Sequence, residues 1–322
     1  MSNSEIDLNK KIFIPVICGP TASGKTDLGV RLALRCGGEI VSADSMQIYK
    51  GMDIASAKPS KEEMQGVAHH LMSFLPATQA FSVADYVELA HSVIKDIRNR
   101  GRLPIVVGGT GLYISSLINN IKFDDTGCDY EFREEMRKLA LEKGNDVLWE
   151  KLRQVDQKAA EKLHPNNLNR IIRALEVYKI SGSTITEAQE KSRLSESPYR
   201  PCFIMPDYPR QALYQRIDKR VDIMLERGLL EEAREFFTHK DYVTAAQAIG
   251  YKELKPFLDG EKELLECVDR LKQVTRNYAK RQLTWFNKEK RLNRLDMEKG
   301  LDEKAFEKIV NCIKEENPIT LV

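Results

Sequence analysis

The six cysteines, Cys18, Cys36, Cys128, Cys202, Cys267 and Cys312, include no Cys-x-x-Cys pair. Their scatter argues against both a zinc ribbon and a disulfide framework, so reduced thiols, several in core strands, are expected. No apolar run approaches the length of a membrane span, and the opening MSNSEIDLNKK lacks the apolar centre of a secretory leader. A cytoplasmic protein without a membrane partner is the expectation. An excess of charge is missing too, since 50 Lys and Arg against 48 Asp and Glu leave a net charge of +2. A nucleic-acid partner must therefore be argued from local clusters. Neither an internal repeat nor a low-complexity tract interrupts the 322 residues, a length that suits about two domains or one α/β domain carrying an insertion.

What is present begins with GPTASGKT, comprising Gly19, Pro20, Thr21, Ala22, Ser23, Gly24, Lys25 and Thr26. The spacing matches a phosphate loop, and the apolar IFIPVIC before it and the amphipathic stretch after it supply the strand and helix that such a loop requires. Glycine lets successive N–H groups converge on an anion, and the helix beginning near Lys25 adds its positive dipole end. Lys25 contributes a mobile charge and Thr26 a hydroxyl suited to Mg2+.

Two further apolar runs, GEIVSADS and RLPIVVGGTG, end in small or acidic residues and, separated by helical patterns, read as buried parallel strands. The fold class expected is α/β, a P-loop NTPase-like parallel sheet flanked by helices. A helix is predicted within FSVADYVELAHSVIKDIRNRG, with Ser82 as N-cap, Asp85 at the third position and Arg98, Arg100 and Gly101 closing its other end. From about 125 to 199 the pattern is charged and strand-poor, after which CFIMPDYP returns to the sheet. The expected organisation is a core of 1–124 and 200–322 with an inserted all-helical domain at 125–199.

Asp44, and less well Asp207, stands where a nucleotide-hydrolysing enzyme would place a magnesium-holding acid. Yet the polar and aromatic SMQIYKGMDI after Asp44 suits a substrate wall, and the third strand ends in GGTGLY, which points backbone amides and Thr110 at the cleft. Two readings of Asp44 stay open from the residues alone: a general base, or the N-cap of a short helix beginning at Ser45. His69 and His70 have no acidic or cysteine partner at ligand spacing, which weighs against a metal site.

The segments GPTASGKT, SADSMQIYKGMDI, FSVADY, VVGGTGLYI, HPNNLNRIIRALEVYKISG, RIDKRVDIMLERGLLEE and TRNYAKRQLTWF occur in this order over roughly residues 12 to 287. Together they resemble the tRNA dimethylallyltransferase family. The resemblance implies transfer of a dimethylallyl group from dimethylallyl diphosphate to N6 of the adenosine beside a tRNA anticodon. The implied partners are that donor and a tRNA anticodon stem-loop, bound by a monomer with Mg2+. It makes Asp44, Thr110 and Lys25 the catalytic set, with Asp44 the base. Residues 19–26 and Arg220 would hold the diphosphate, with the metal on Thr26.

On the same basis tRNA would meet Asp44, Ser45, Met46, Gln47, Thr110 and Arg133, then Asn169, Arg170, Ile171, Ile172 and Arg173, and finally Lys280 and Arg281. Arg170 and Arg173 share a helical face away from Ile171 and Ile172; an ion pair with Glu176 is the bland alternative. Arg220 beside Asp218 and Asp222 could equally be a helix-surface residue. Leu271, Val274, Tyr278 and Trp285 form a predicted packing stripe with basic residues alongside. Ala55, Ser56, Ala68, Ser73 and Asn167 depart from the family's usual pattern, and no Cys/His zinc module follows. Competing readings are an adenylate isopentenyltransferase, an ATP-dependent small-molecule kinase, and an RNA-binding module with a vestigial phosphate loop.

Overall fold

The computed structural model describes residues 11–121, 127–193, 196–239, 245 and 248–316. Internal contacts divide the chain into one unit of Met1–Ile118 with Pro198–Val322 and a second of Asn119–Ser197. The second unit thus starts at 119 rather than 125 and ends at 197 rather than 199. The shift arises because Ile118 and Tyr199 are both buried in the first unit's core.

Six strands form one sheet in the order β3-β2-β4-β1-β5-β6. They are β1 (Ile12–Cys18), β2 (Gly38–Ser42), β3 (His69–His70), β4 (Leu103–Gly108), β5 (Tyr199–Asp207) and β6 (Leu292–Asp296). Every pairing is parallel. The alternation of a strand sends Ile14, Val16 and Cys18 of β1 into one core and Phe13 and Ile17 into the other. On the first face pack α3 (Val83–Asn99) and α4 (Gly111–Ile118), through Ile94, Ile97, Ile114 and Leu117. On the second face lie α1 (Lys25–Cys36) and α14 (Glu303–Glu316), through Leu28, Leu32, Phe306 and Val310. Burial on both faces is why β1 and β4 read as unbroken apolar runs. The architecture is the expected P-loop NTPase-like parallel sheet flanked by helices.

Helix α3 begins as its sequence signals: the Asp85 N–H donates to Ser82 Oγ at 3.2 Å, and the Ser82 N–H donates to Asp85 Oδ2 at 2.7 Å. Beyond a short α2 (Lys61–Met64), a third core gathers Ile48, Tyr49 and Met52 under α10 (Arg210–Glu226), α11 (Leu229–Thr238), α12 (Tyr251–Leu258) and α13 (Leu264–Phe286). The stripe expected on α13 needs correcting. Leu271 is buried, but Trp285 is 40% exposed, and the buried side continues instead through Ala279, Gln282 and Phe286.

The second unit contains α5 (Tyr130–Lys143), α6 (Asn145–Val155), α7 (Gln157–Lys162), α8 (Leu168–Ser181) and α9 (Ile185–Arg193), with no strand among its described residues. Leu148, Leu152, Ala160 and Ile171 are its fully buried centre. No helix among the described residues is long and apolar enough to cross a membrane.

Candidate active site

The turn from β1 into α1 is built on left-handed backbone. Gly19 has φ +143° and Gly24 φ +81°, and Ala22 takes φ +62° despite its side chain, a conformation most residues avoid. Lys25 Nζ donates to the Pro20 carbonyl at 3.1 Å. The Thr21 N–H donates to Gln282 Oε1 at 2.8 Å, so that amide is engaged by the protein itself rather than left for a ligand. The Ser23 hydroxyl is buried with no partner among the described residues. Burial pushes the adjacent Cys18 thiol up to about 12, with Lys25 opposing, which keeps it a neutral packing group.

The neighbouring wall follows β2. Ser45 to Ile48 form a turn, not the short helix expected there. The Met46 N–H nevertheless donates to Asp44 Oδ1 at 2.9 Å, so the carboxylate does cap a turn through one oxygen. The Ser45 N–H is occupied differently, donating to Thr110 Oγ1 at 3.0 Å. At the end of β4, the Thr110 N–H donates to the Ala43 carbonyl at 3.1 Å and is therefore not the open amide that GGTG suggested. Gly108 is obligatory here, because a Cβ would lie 2.2 Å from the Ala43 carbonyl oxygen. Gln47 is tied down as well, its Oε1 accepting from Ser42 Oγ at 3.1 Å and its Nε2 donating to the Ser56 carbonyl at 3.3 Å.

Both walls open into one cavity of about 1300 Å³ whose lining includes Thr21, Ala22, Gly24, Lys25, Thr26, Asp44, Ser45, Met46, Gln47, Arg220 and Arg281. Lys280, by contrast, points from the exposed side of α13. The Lys25 side chain keeps some accessible surface, yet desolvation, and next the Arg220 charge, push its amine down to about 8 against the pull of Asp44. Burial also lowers Arg220, and Asp44 again opposes it. Two cations repelling each other beside one carboxylate make a place that an added anion would relieve.

Arg216 was not singled out from the sequence. Its Nε donates to the Ala22 carbonyl at 2.9 Å and its guanidinium lies 4.6 Å over the Tyr208 ring. The signal was its position one helical turn before Arg220 on α10. Glu232 on α11 was also missed: its Oε2 accepts the Asp53 and Ile54 N–H groups and its Oε1 the Ala55 N–H, each at 2.8 Å. The Tyr251 hydroxyl donates to the same Oε1 at 2.8 Å, so one carboxylate fixes a loop that lines the cavity.

In the helical unit the expected RNA face is only partly free. Ile171 and Ile172 are 0% and 2% exposed, so they build the core instead of a contact surface. Arg133 Nε donates to Glu176 Oε1 at 2.8 Å, and Arg173 Nη1 to Glu176 Oε2 at 2.5 Å and to the Gly127 carbonyl at 3.0 Å. Glu176 is fully buried, which would raise its pKa, but the two arginines outweigh burial and hold it low. The ion pair considered for Arg173 is thus real. Asn169 and Arg170 remain exposed on α8.

No cluster of three or more His, Cys, Asp or Glu side chains at metal spacing occurs among the described residues. Mg2+ needs none when phosphate oxygens and water fill most of its shell, and Thr26 stands beside Lys25 on the cavity wall, where its hydroxyl suits that role.

The IPP transferase family profile matches residues 47–289. A tRNA dimethylallyltransferase of Caldanaerobacter subterraneus subsp. tengcongensis is 50% identical over 279 residues, covering 85% of this chain and 89% of its own. One from Acetivibrio thermocellus is 50% identical over 275 residues, covering 85% and 88%. Among solved structures, the tRNA isopentenylpyrophosphate transferase of Bacillus halodurans superposes with a TM-score of 0.71 at 42% identity, over 96% of this chain and 97% of that one. A eukaryotic dimethylallyltransferase acting on tRNA superposes with a TM-score of 0.81 at 29% identity, over 96% and 81%.

Proposed function

Since the chain belongs to the IPP transferase family, we propose that it transfers a dimethylallyl group from dimethylallyl diphosphate to N6 of the adenosine beside a tRNA anticodon, releasing diphosphate. The observation that carries this reading is the convergence of Lys25, Arg220 and Asp44 on one cavity, two cations for a leaving diphosphate and one carboxylate for an acceptor amine. As the allylic C1–O bond breaks, negative charge collects on the diphosphate, and Lys25, Arg220 and the open loop amides stabilise it. The N6 lone pair forms the new bond to C1, and the proton lost from N6 passes to Asp44. The cap bond from Met46 holds Oδ1 and leaves Oδ2 to take that proton. Mg2+ bound at Thr26 would supply further charge for the leaving group.

An exocyclic amine cannot be reached in a stacked anticodon loop, so the adenine must swing out into the pocket beside Asp44 and Thr110. Ser45, Met46, Gln47 and Arg281 line the path into that pocket, and Arg170 on the helical unit offers phosphate contacts. Arg133 and Arg173 reach RNA only with the charge left over after pairing to Glu176. The enzyme is expected to work in the cytoplasm.

The test is a single-turnover assay with labelled dimethylallyl diphosphate and magnesium, offering unmodified tRNA with adenosine beside its anticodon and, in parallel, AMP. Label in tRNA is expected. Label in AMP alone would reassign the chain to nucleotide prenylation, and label in neither would overturn prenyl transfer.

A further inference from the structure

Tyr278 and Gln282 stand one turn apart on α13 and both line the cavity. Gln282 is 5% exposed; its Oε1 accepts the Thr21 N–H at 2.8 Å and its Nε2 donates to the Gly109 carbonyl at 2.9 Å. That orientation is forced, because a backbone N–H can only donate and a carbonyl can only accept. Only an amide side chain of this length does both at once. The backbone opposite makes room for it, since a Cβ on Gly109 would lie 2.3 Å from Gln282 Nε2. The Tyr278 side chain stands beside those of Gln282 and Thr110, and Thr110 Oγ1 accepts the Ser45 N–H at 3.0 Å. A bonded path therefore runs from the phosphate loop at Thr21 through Gln282 to Gly109 and, by the next residue Thr110, to Ser45, the residue after Asp44, with Tyr278 set beside it.

We propose that Tyr278 and Gln282 are positioning residues that fix the spacing between the donor-binding loop and the acceptor wall. The assignment rests on the transfer reaction proposed above. Displacement at C1 requires the amine and the carbon to be held about 3–3.5 Å apart before bond formation, and an error of about 1 Å costs on the order of a hundredfold in rate. The loop and the wall lie on different strands of the sheet, and one turn of one helix sets them against each other.

The test uses the full chain with Tyr278→Phe, Gln282→Leu and the double variant. Single-turnover prenyl transfer should fall by about a hundredfold in each single variant, while the Kd for inorganic diphosphate and for tRNA changes less than about threefold. The double variant should be no slower than the slower single, because both residues act on one path. Amide exchange at Thr21 should rise by about tenfold in Tyr278→Phe, although Tyr278 does not touch Thr21. Folded variants with wild-type transfer rates, multiplied losses in the double variant, or a rate loss matched by lost diphosphate affinity would each overturn positioning. If Gln282→Leu fails to fold, Tyr278→Phe, which keeps the ring, decides. If the wild type does not prenylate tRNA, the proposed function fails, and Thr21 exchange unchanged in Tyr278→Phe would separately refute the coupling.

Discussion

Raising the pH from 7 to 9 should weaken diphosphate binding by about tenfold, and Lys25 should account for the change. In the free protein burial and Arg220 push the Lys25 amine down to about 8. A bound polyanion supplies the opposite charge and restores the ordinary value near 10.5. Linkage then fixes both sign and size. At pH 7 and below the amine is about nine-tenths or more protonated and affinity is near its plateau. At pH 9 about nine-tenths of the free protein must take up a proton before it binds, which raises the apparent Kd about elevenfold. Stability of the free protein moves the other way: between about 8 and 10.5 the unfolded chain binds more protons, so folding is favoured by added base.

Calorimetry with inorganic diphosphate in two buffers of different ionisation heat would read the proton directly. Uptake should approach one per ligand at pH 9 and fall to about a tenth at pH 7, after subtracting the same titration on Lys25→Met to remove the ligand's own protonation. Equal pH dependence in wild type and Lys25→Met would refute the reasoning, since the coupling would then lie in the ligand or elsewhere in the cavity.

Replacing the proposed base by Asp44→Asn should lower the transfer rate by about 10²–10⁴ with tRNA affinity retained, as quench-flow and filter binding would show. At the β2 strand, hydrogen bonds from Arg100, opposed by burial and aided by His70, hold the Glu39 carboxyl down to about 2. Because the folded value is depressed, that stabilisation is complete above about 4.5 and lost as the pH falls toward 2; thermal melts of Glu39→Gln should show a weaker acid dependence than wild type. Gly108→Ala forces a methyl against the Ala43 backbone and should cost about 1–3 kcal/mol or more, whereas Gly111→Ala meets the exposed Trp285 ring, which can turn away. Denaturant midpoints of the two variants should differ in that order.

Strands buried on both faces announced themselves, because β1 and β4 must be apolar at nearly every position, and the Ser82–Asp85 box marked a helix start through local bonding alone. The edges were silent. Only two residues make up β3, and β6 reads as the polar LNRLD because one face of an edge strand meets little core. Long-range partners were equally hidden: nothing in the sequence around Arg133 states that Glu176, 43 residues on, will take its guanidinium. Gln282 did leave a trace, as a polar residue four positions after Tyr278 on a side of α13 that is otherwise apolar. A buried amide on such a side has to be bonded to something, and that requirement was the readable clue.

The carboxylate of Glu232, cradled by three successive amides of residues 53–55, has a consequence for selectivity. Consecutive N–H groups converging on one point are a natural receptor for phosphate oxygens, and among the described residues the amides of 53–55 form such a receptor in the same unit as the phosphate loop. The receptor at 53–55 is furnished with a tethered anion of its own, held there at a high effective concentration. A phosphate oxygen can reach residues 53–55 only by displacing Glu232, which closes that cradle to the diphosphate proposed for the phosphate loop.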